Sequence, residues 1–273
     1  GASDGSVQIW GVADGKLQKS LSGPLTAITS LAFSNAGNLI AAGGADGSLY
    51  VIEIATQAPR VFAGQSTRIH TLIFTPDNQT LIAASEDRTV KFWQFSNGAL
   101  RQSVTVDTDT LISAALSPDG TMLGTGAADG STQIWRVTDG RLIRTVPGLG
   151  QPALSMAFSN DKELPLLAVA SNDSTIWLRR ASDGNFLGTL EEHTSGVNSV
   201  AFSPDGLMLA TGAYDKEAKV WSTATWMRKY RFQGHIFTVF QVAISPDSTR
   251  LATASNDGTL KIWNLTNGHL VKT

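Results

Sequence analysis

Apolar residues fall in short bursts along the chain, and polar or turn-forming residues close each burst. In the stretch 239–273, Val239–Ser245, Arg250–Ser255, Thr259–Leu265 and His269–Thr273 run at strand length, alternating or continuously apolar and rich in β-branched and aromatic side chains. Between them stand Pro246-Asp247, Asp257-Gly258 and Asn267-Gly268, residues that favour turns. No stretch offers a helix-length run at helical periodicity. The pattern predicts an all-β chain built from units of four short strands.

The units recur on a fixed beat. Asp stands six residues before Trp in Asp4–Trp10, Asp87–Trp93, Asp129–Trp135 and Asp257–Trp263. The same position is held by Asp4, Asp46, Asp87, Asp129, Asp173, Asp215 and Asp257, at intervals of 42, 41, 42, 44, 42 and 42 residues. A second marker, at Ser34, Thr75, Ser117, Ser159, Ser203 and Ser245, keeps this beat and opens a turn such as Ser203-Pro204-Asp205-Gly206. From marker to Asp is 12 residues in five units and 14 in the fourth, so two extra residues lie within Asn160–Leu166. Asp-Gly or Asp-x joins second strand to third. Asp14-Gly15, Asn97-Gly98, Asp139-Gly140, Asp183-Gly184 and Asn267-Gly268 join third to fourth, and the type I′ hairpin, with positive φ at both centres, is the expected form.

A period of about 40–45 residues, four strands per unit and a Trp closing the third strand resemble the WD40-repeat family over essentially the whole chain. The resemblance implies a β-propeller of seven-bladed type, with small sheets stacked radially and edges kept short. Residues 26–273 are expected to form six complete blades and residues 1–23 two strands of another, all within one domain. Seven blades would need two strands more than the chain supplies. The chain opens at Gly1 rather than Met, so the expectation is most of a propeller cut from a longer protein, with an exposed edge beside the N-terminal strands.

The family pattern is kept unevenly. Trp10, Trp93, Trp135, Trp221 and Trp263 fill the Trp position, Ile52 replaces it once, and Arg179 stands there once with Trp177 two residues before. The Asp that usually follows the Trp is absent throughout. Gly234-His235 matches the family's Gly-His, His193 shares its frame, and Gly268-His269 is out of frame. By resemblance, His193, Thr211, Asp215 and Trp221 form one hydrogen-bonded tetrad and His235, Thr253, Asp257 and Trp263 another. The remaining units lack the His.

Composition removes several chemistries. There is no cysteine, which excludes disulfides, zinc–thiolate sites and cysteine nucleophiles. Charged residues are 16% of the chain and the net charge is -2, so no basic excess supports nucleic-acid binding. The longest apolar run, near Leu164–Ala170, is far below the ~20 residues of a membrane helix. His70, His193, His235 and His269 are scattered, without metal-ligand spacing, so no metal or cofactor is expected. His and Asp recur with the repeat, which argues for bracing rather than a catalytic triad. Gly43-Gly44 and Gly124-Thr125-Gly126 end second strands and precede strands, whereas a phosphate cradle needs a helix N-terminus.

What remains is surface. The segment Trp226–Arg231 is expected on an outer fourth strand, with Trp226 in the frame where other units keep a turn glycine; an edge protected by charge is the expected reading, and a rim site for an acidic partner or nucleic acid is the alternative. By resemblance, propellers bind on the end formed by the loops before first strands and the turns before third strands. There Tyr214, Ile236 and Phe237 are bulky and apolar, with Arg68 and Glu86 elsewhere. The expectation is a non-enzymatic, monomeric and cytoplasmic interaction module for a protein or peptide, with no nucleic-acid or membrane partner. The alternatives are a small-ligand or enzymatic propeller using the central channel, and a regulatory segment of a larger signalling protein.

Overall fold

A carboxylate builds each second-to-third turn. Asp4, Asp46, Asp87, Asp129, Asp173, Asp215 and Asp257 each accept, at Oδ1, the backbone N–H two residues on, at 2.8–3.1 Å. The residue between is left-handed, most often Gly, as in a type I turn closed by a bulge. In a computed structural model, described at residues 1–11, 14–22, 27–148, 150–161 and 165–273, these turns recur through an all-β architecture.

The first sheet is β1 (Ser6–Trp10) and β2 (Leu17–Ser22). The second holds β3 (Ile28–Phe33), β4 (Leu39–Gly44), β5 (Leu49–Glu53) and β6 (Pro59–Phe62). The third holds β7 (Ile69–Phe74), β8 (Thr80–Ser85), β9 (Thr89–Gln94) and β10 (Leu100–Thr105). The fourth holds β11 (Leu111–Leu116), β12 (Met122–Ala127), β13 (Thr132–Arg136) and β14 (Leu142–Val146). The fifth holds β15 (Ala153–Phe158), β16 (Leu166–Ser171), β17 (Ile176–Arg180) and β18 (Phe186–Leu190). The sixth holds β19 (Val197–Phe202), β20 (Met208–Ala213), β21 (Ala218–Ser222) and β22 (Arg228–Phe232). The last holds β23 (Val239–Ile244), β24 (Arg250–Ser255), β25 (Leu260–Asn264) and β26 (Leu270–Lys272). In every sheet the strands lie in chain order, the arrangement of propeller blades: six of four strands and one of two. The extra residues expected within 160–166 centre on 162–164, outside the described residues, as are 23–26.

The chain divides into two compact units, Gly1–Ala127 with Trp135–Arg141 and Ala128–Ile134 with Leu142–Thr273. Within each, neighbouring sheets join at their first strands. Ser30 Oγ accepts from Leu72 N–H at 2.9 Å in the first unit. In the second, Ser155 Oγ accepts from Val200 N–H at 3.3 Å and Ser199 Oγ from Val242 N–H at 3.1 Å. Glycine permits the approach: a Cβ at Gly43 would lie 2.8 Å from Ile69 Cγ2, and one at Gly212 would lie 2.7 Å from Val239 Cγ1. These glycines serve packing between sheets, not a phosphate.

The tryptophans fill the space between sheets. Trp93 packs on Ala41, Leu49, Val51 and Phe62 of the preceding sheet, and Trp221 on Ala168, Ala170, Leu178 and Leu190. Trp263 meets Phe232 at a ring separation of 5.0 Å. Truncating such a buried ring typically costs about 3–5 kcal/mol. Trp10, on the two-stranded sheet, stays 50% exposed. Arg179, in the Trp frame of β17, is buried and lies over Trp177 at 5.9 Å and Phe186 at 5.8 Å.

One expectation needs correction. The third-to-fourth turns are not type I′: Gly98, Gly140, Gly184 and Gly268 are left-handed, but Asn97, Asp139, Asp183 and Asn267 are not. Each Gly N–H instead donates to the carbonyl four residues back, as Gly98 does to Gln94 at 2.9 Å, closing a longer loop. The preceding Asn or Asp is there for its side chain, which accepts the N–H two residues on, Ala99 to Asn97 Oδ1 at 2.9 Å. Trp226, in the frame where other units keep a turn glycine, lies in such a turn, and the fourth strand begins at Arg228.

Trp226 has φ 55, in the position held by Gly98, Gly140, Gly184 and Gly268 and, in the second sheet, by Gln57. Long side chains from the preceding sheet's fourth strand cover those glycines. Arg60 lies beside Gly98, Gln102 beside Gly140, Arg144 beside Gly184 and Tyr230 beside Gly268. Between β18 and β22 the sizes are exchanged: Gly188 stands on the strand and Trp226 in the turn. Trp226 packs against the core between these sheets, and with Leu166, Leu178, Leu187, Gly188, Thr189 and Leu190 it lines a cavity of about 240 Å³. A left-handed non-glycine residue costs roughly 1–2 kcal/mol, less than the ring gains by packing. Trp226→Gly and Trp226→Ala should therefore both destabilise the protein. The glycine variant should be the more stable of the two by about 1 kcal/mol, since it alone sheds the strain. Urea unfolding of the pair checks this, and equal midpoints would remove strain from the account.

Candidate functional site

The chemistry-bearing residues gather where first-strand loops meet second-to-third turns. In the sixth sheet His193 Nδ1 lies 2.7 Å from Asp215 Oδ2, and Nε2 lies 2.8 Å from Thr211 Oγ1. Trp221 Nε1–H donates to the same hydroxyl at 3.2 Å. In the last sheet His235 Nδ1 lies 2.9 Å from Asp257 Oδ2 and Nε2 lies 2.7 Å from Thr253 Oγ1, with Trp263 Nε1–H donating at 3.0 Å. A carboxylate only accepts, so the network assigns the imidazole proton to Nδ1, and the threonine donates to Nε2 while accepting from tryptophan. Every polar atom of this kind is consumed inside the sheet. No hydroxyl is singled out for attack, because Thr211 and Thr253 are fully buried and occupied on both sides.

The third sheet carries a substitute that the His spacing concealed. Gln65 stands ten residues before Thr75, the frame of His193 before Ser203. Its Nε2–H donates to Ala83 O at 2.9 Å, and its Oε1 accepts from Thr89 Oγ1 at 3.0 Å. The signal was positional and could have been found by looking for any amide in the His frame. Ala83 replaces the threonine, so Trp93 Nε1 is buried without a partner among the described residues, whereas Trp135 Nε1–H donates to Thr125 Oγ1 at 3.0 Å.

The bracing aspartates also grip the loops. Asp257 Oδ2 accepts the N–H of Ile236 at 3.1 Å and Asp215 Oδ2 that of Thr194 at 3.1 Å. Phe237 O accepts from Ser255 Oγ at 3.1 Å, Asn256 N–H donates to Thr238 O at 3.0 Å, and Tyr214 N–H donates to Gly196 O at 2.9 Å. The main chain is thereby fixed while the side chains face outward: Tyr214 is 42%, Ile236 66% and Phe237 53% exposed. The close approach of Gly212 to Val239 brings the Tyr214 turn and the Phe237 loop to neighbouring places in the second unit. Arg68 and Glu86, both exposed, belong to the first unit, where Glu86 N–H donates to Arg68 O at 3.0 Å.

The basic segment after Trp226 is largely committed to its own sheet. Arg231 Nε donates to Glu217 Oε2 at 2.8 Å, and Gln233 Nε2 donates to Glu217 Oε1 at 2.8 Å. Arg228 pairs with Glu192, and the buried Lys219 ammonium donates to Glu192 O. The Arg231 hydrogen bonds hold Glu217 below the usual carboxylate range. Among the described residues no group of three or more His, Asp or Glu is placed to hold a metal ion.

Residues 184–222 and 226–264 match the WD domain, G-beta repeat family, and residues 4–135 match the Nucleolar protein 10-like, N-terminal domain family. Among curated proteins, the U3 small nucleolar RNA-associated protein 15 homolog of Xenopus tropicalis is 28% identical over 73% of this chain and 39% of its own length. The B-type cell cycle switch protein ccs52A of Medicago truncatula is 28% identical over 81% of the chain and 47% of its length. The guanine nucleotide-binding protein subunit beta of Saccharomyces cerevisiae is 23% identical over 81% of the chain and 52% of its length. The chain thus spans about half or less of these relatives.

Two outcomes follow from the bracing. Thr211→Val keeps the shape but leaves His193 Nε2 and Trp221 Nε1 buried and unpaired, which should lower the unfolding free energy by about 2–4 kcal/mol. A loss below about 1 kcal/mol in denaturant titration would contradict it. Acid should act through the aspartates. Burial opposes ionisation of Asp257, but Thr259, His235 and the N–H groups of Thr259 and Ile236 outweigh it and hold the carboxyl well below 3.8. At Asp215, burial is outweighed by His193 and the N–H groups of Thr194 and Glu217. A lowered native pKa means that the unfolded chain binds more protons, so this stability is complete above about pH 4 and lost as pH falls through the native values. Asp257→Asn should be less stable at pH 7 and flatter below pH 4 in midpoint against pH. A slope equal to wild type would refute the assignment.

Proposed function

We propose, from the propeller architecture and the matches to the WD domain, G-beta repeat family, that the chain is a non-enzymatic scaffold that docks a protein or peptide through the loop end of its second unit. The observation that carries this is a division of labour. His, Thr, Asp and Trp are spent on bracing inside the sheets, and the bulky side chains of Tyr214, Ile236 and Phe237 are left outside on a pinned main chain. Fixing the backbone in advance lowers the ordering cost of docking, and exposed aromatic residues are the side chains that dominate interfaces. No observation favours the enzymatic or small-ligand alternative.

The matches to a nucleolar domain family and to U3 small nucleolar RNA-associated proteins favour work in a nucleolar assembly over the cytoplasmic location expected from the sequence. Within such an assembly the chain would hold proteins together, since it carries no basic stripe of its own.

The test is a pull-down from source lysate with wild type beside Tyr214→Ala/Phe237→Ala, after confirming that both fold. Both substitutions are at exposed positions and should change stability by less than about 0.5 kcal/mol. A protein held by wild type and lost by the variant is the expected result. Equal recovery by both would move the site away from this end.

A further inference from the structure

The left-handed residue of the second-to-third turn is Gly5, Gly47, Gly130 and Gly258 in four sheets, but Arg88, Ser174 and Lys216 in the others. Glycine takes this conformation without strain, and a long side chain does not. Lys216 has φ 72 and is exposed. Among the described residues its ammonium has no carboxylate within ion-pair distance. Arg88, in the other unit, shares its turn with Glu86, whereas at Lys216 the equivalent position is Tyr214. Among the described residues nothing pairs with the Lys216 charge.

Among the described residues the acids of the surrounding loops are engaged internally, with Glu192 paired to Arg228 and Glu191 accepting from Thr189 Oγ1. Asp215 holds His193 and two backbone N–H groups, Asp257 holds His235, Ile236 N–H and Thr259, and Glu217 is gripped by Arg231 and Gln233. The nearby Lys219 is buried and committed. The loop end therefore presents Tyr214, Ile236 and Phe237 with one uncompensated cation two residues from Tyr214.

We propose that this surface recognises a protein segment that sets an Asp or Glu carboxylate beside a bulky apolar side chain. The carboxylate pairs with Lys216 and the apolar group covers Tyr214, Ile236 and Phe237. The inference rests on the docking surface proposed above and names its partner's chemistry. A single ammonium among apolar groups suits one carboxylate. A phosphate is better held by forked arginine donors, and a nucleic-acid backbone by a row of cations.

The test selects a displayed random-peptide library on the intact chain and remakes the enriched sequences as fluorescent peptides. Enriched peptides should carry Asp or Glu next to an aromatic or branched residue. Lys216→Glu should weaken them by about ten-fold or more, as should Asp→Asn or Glu→Gln within the peptide, while Lys229→Glu leaves affinity unchanged. Lys216→Gly separates function from folding: it relieves the strained φ, so its unfolding midpoint should hold or rise while affinity falls. Peptides lost on Tyr214→Ala/Phe237→Ala but indifferent to Lys216→Glu would overturn the carboxylate inference and keep the docking surface. Peptides indifferent to both, or no enrichment at all, would overturn the docking surface too. A single-stranded RNA oligomer bound through Lys216 but not through Tyr214 or Phe237 would replace the acidic segment with nucleic acid.

Discussion

The whole arrangement depends on a carboxylate accepting a backbone N–H two residues ahead. That contact recurs in all seven sheets and turns the second strand into the third with a fixed geometry. Strand alternation then decides which side chains face the neighbouring sheet. In two sheets the second carboxylate oxygen reaches a histidine and the backbone of the loop entering the first strand. One side chain thus sets a turn, braces a tetrad and positions a surface loop.

Packing between sheets adds a second constraint, that of size. Close-packed interiors leave little room for volume changes, so large and small residues must meet in pairs. Tyr230 faces Gly268 and Arg144 faces Gly184. The exchange of Gly188 and Trp226 respects the same rule with the partners reversed, and the cavity beside them shows that the fit is incomplete. Glu217 follows a similar logic: it stands where Ser or Thr caps the aspartate in other sheets, and Arg231 with Gln233 stabilises the larger acid.

The repeat was legible because its markers are spaced by the strand lengths themselves, and a beat of about 42 residues survives any single substitution. The frames of His193 and His235 could be read because the histidines keep a constant offset from Ser203 and Ser245. Other features were hidden by residue identity. Asn267-Gly268 reads as a two-residue hairpin, but only the glycine is left-handed, because the asparagine's task is to accept an N–H. Gln65 escaped notice because an amide supplies donor and acceptor as an imidazole does without resembling it. The loop end is a third case: alternation says which residues leave the core, but not that all nearby acids are already occupied.

Asp257 holds the Ile236 loop through the peptide N–H, not through the side chain. Any residue except proline offers that same hydrogen. The clamp is therefore blind to what stands at 236, and neighbouring Phe237 is likewise held by its carbonyl. The loop is held by its main chain, and the side chains of Ile236 and Phe237 stay outside that task. Substitution at these outward positions leaves untouched the scaffold that displays them.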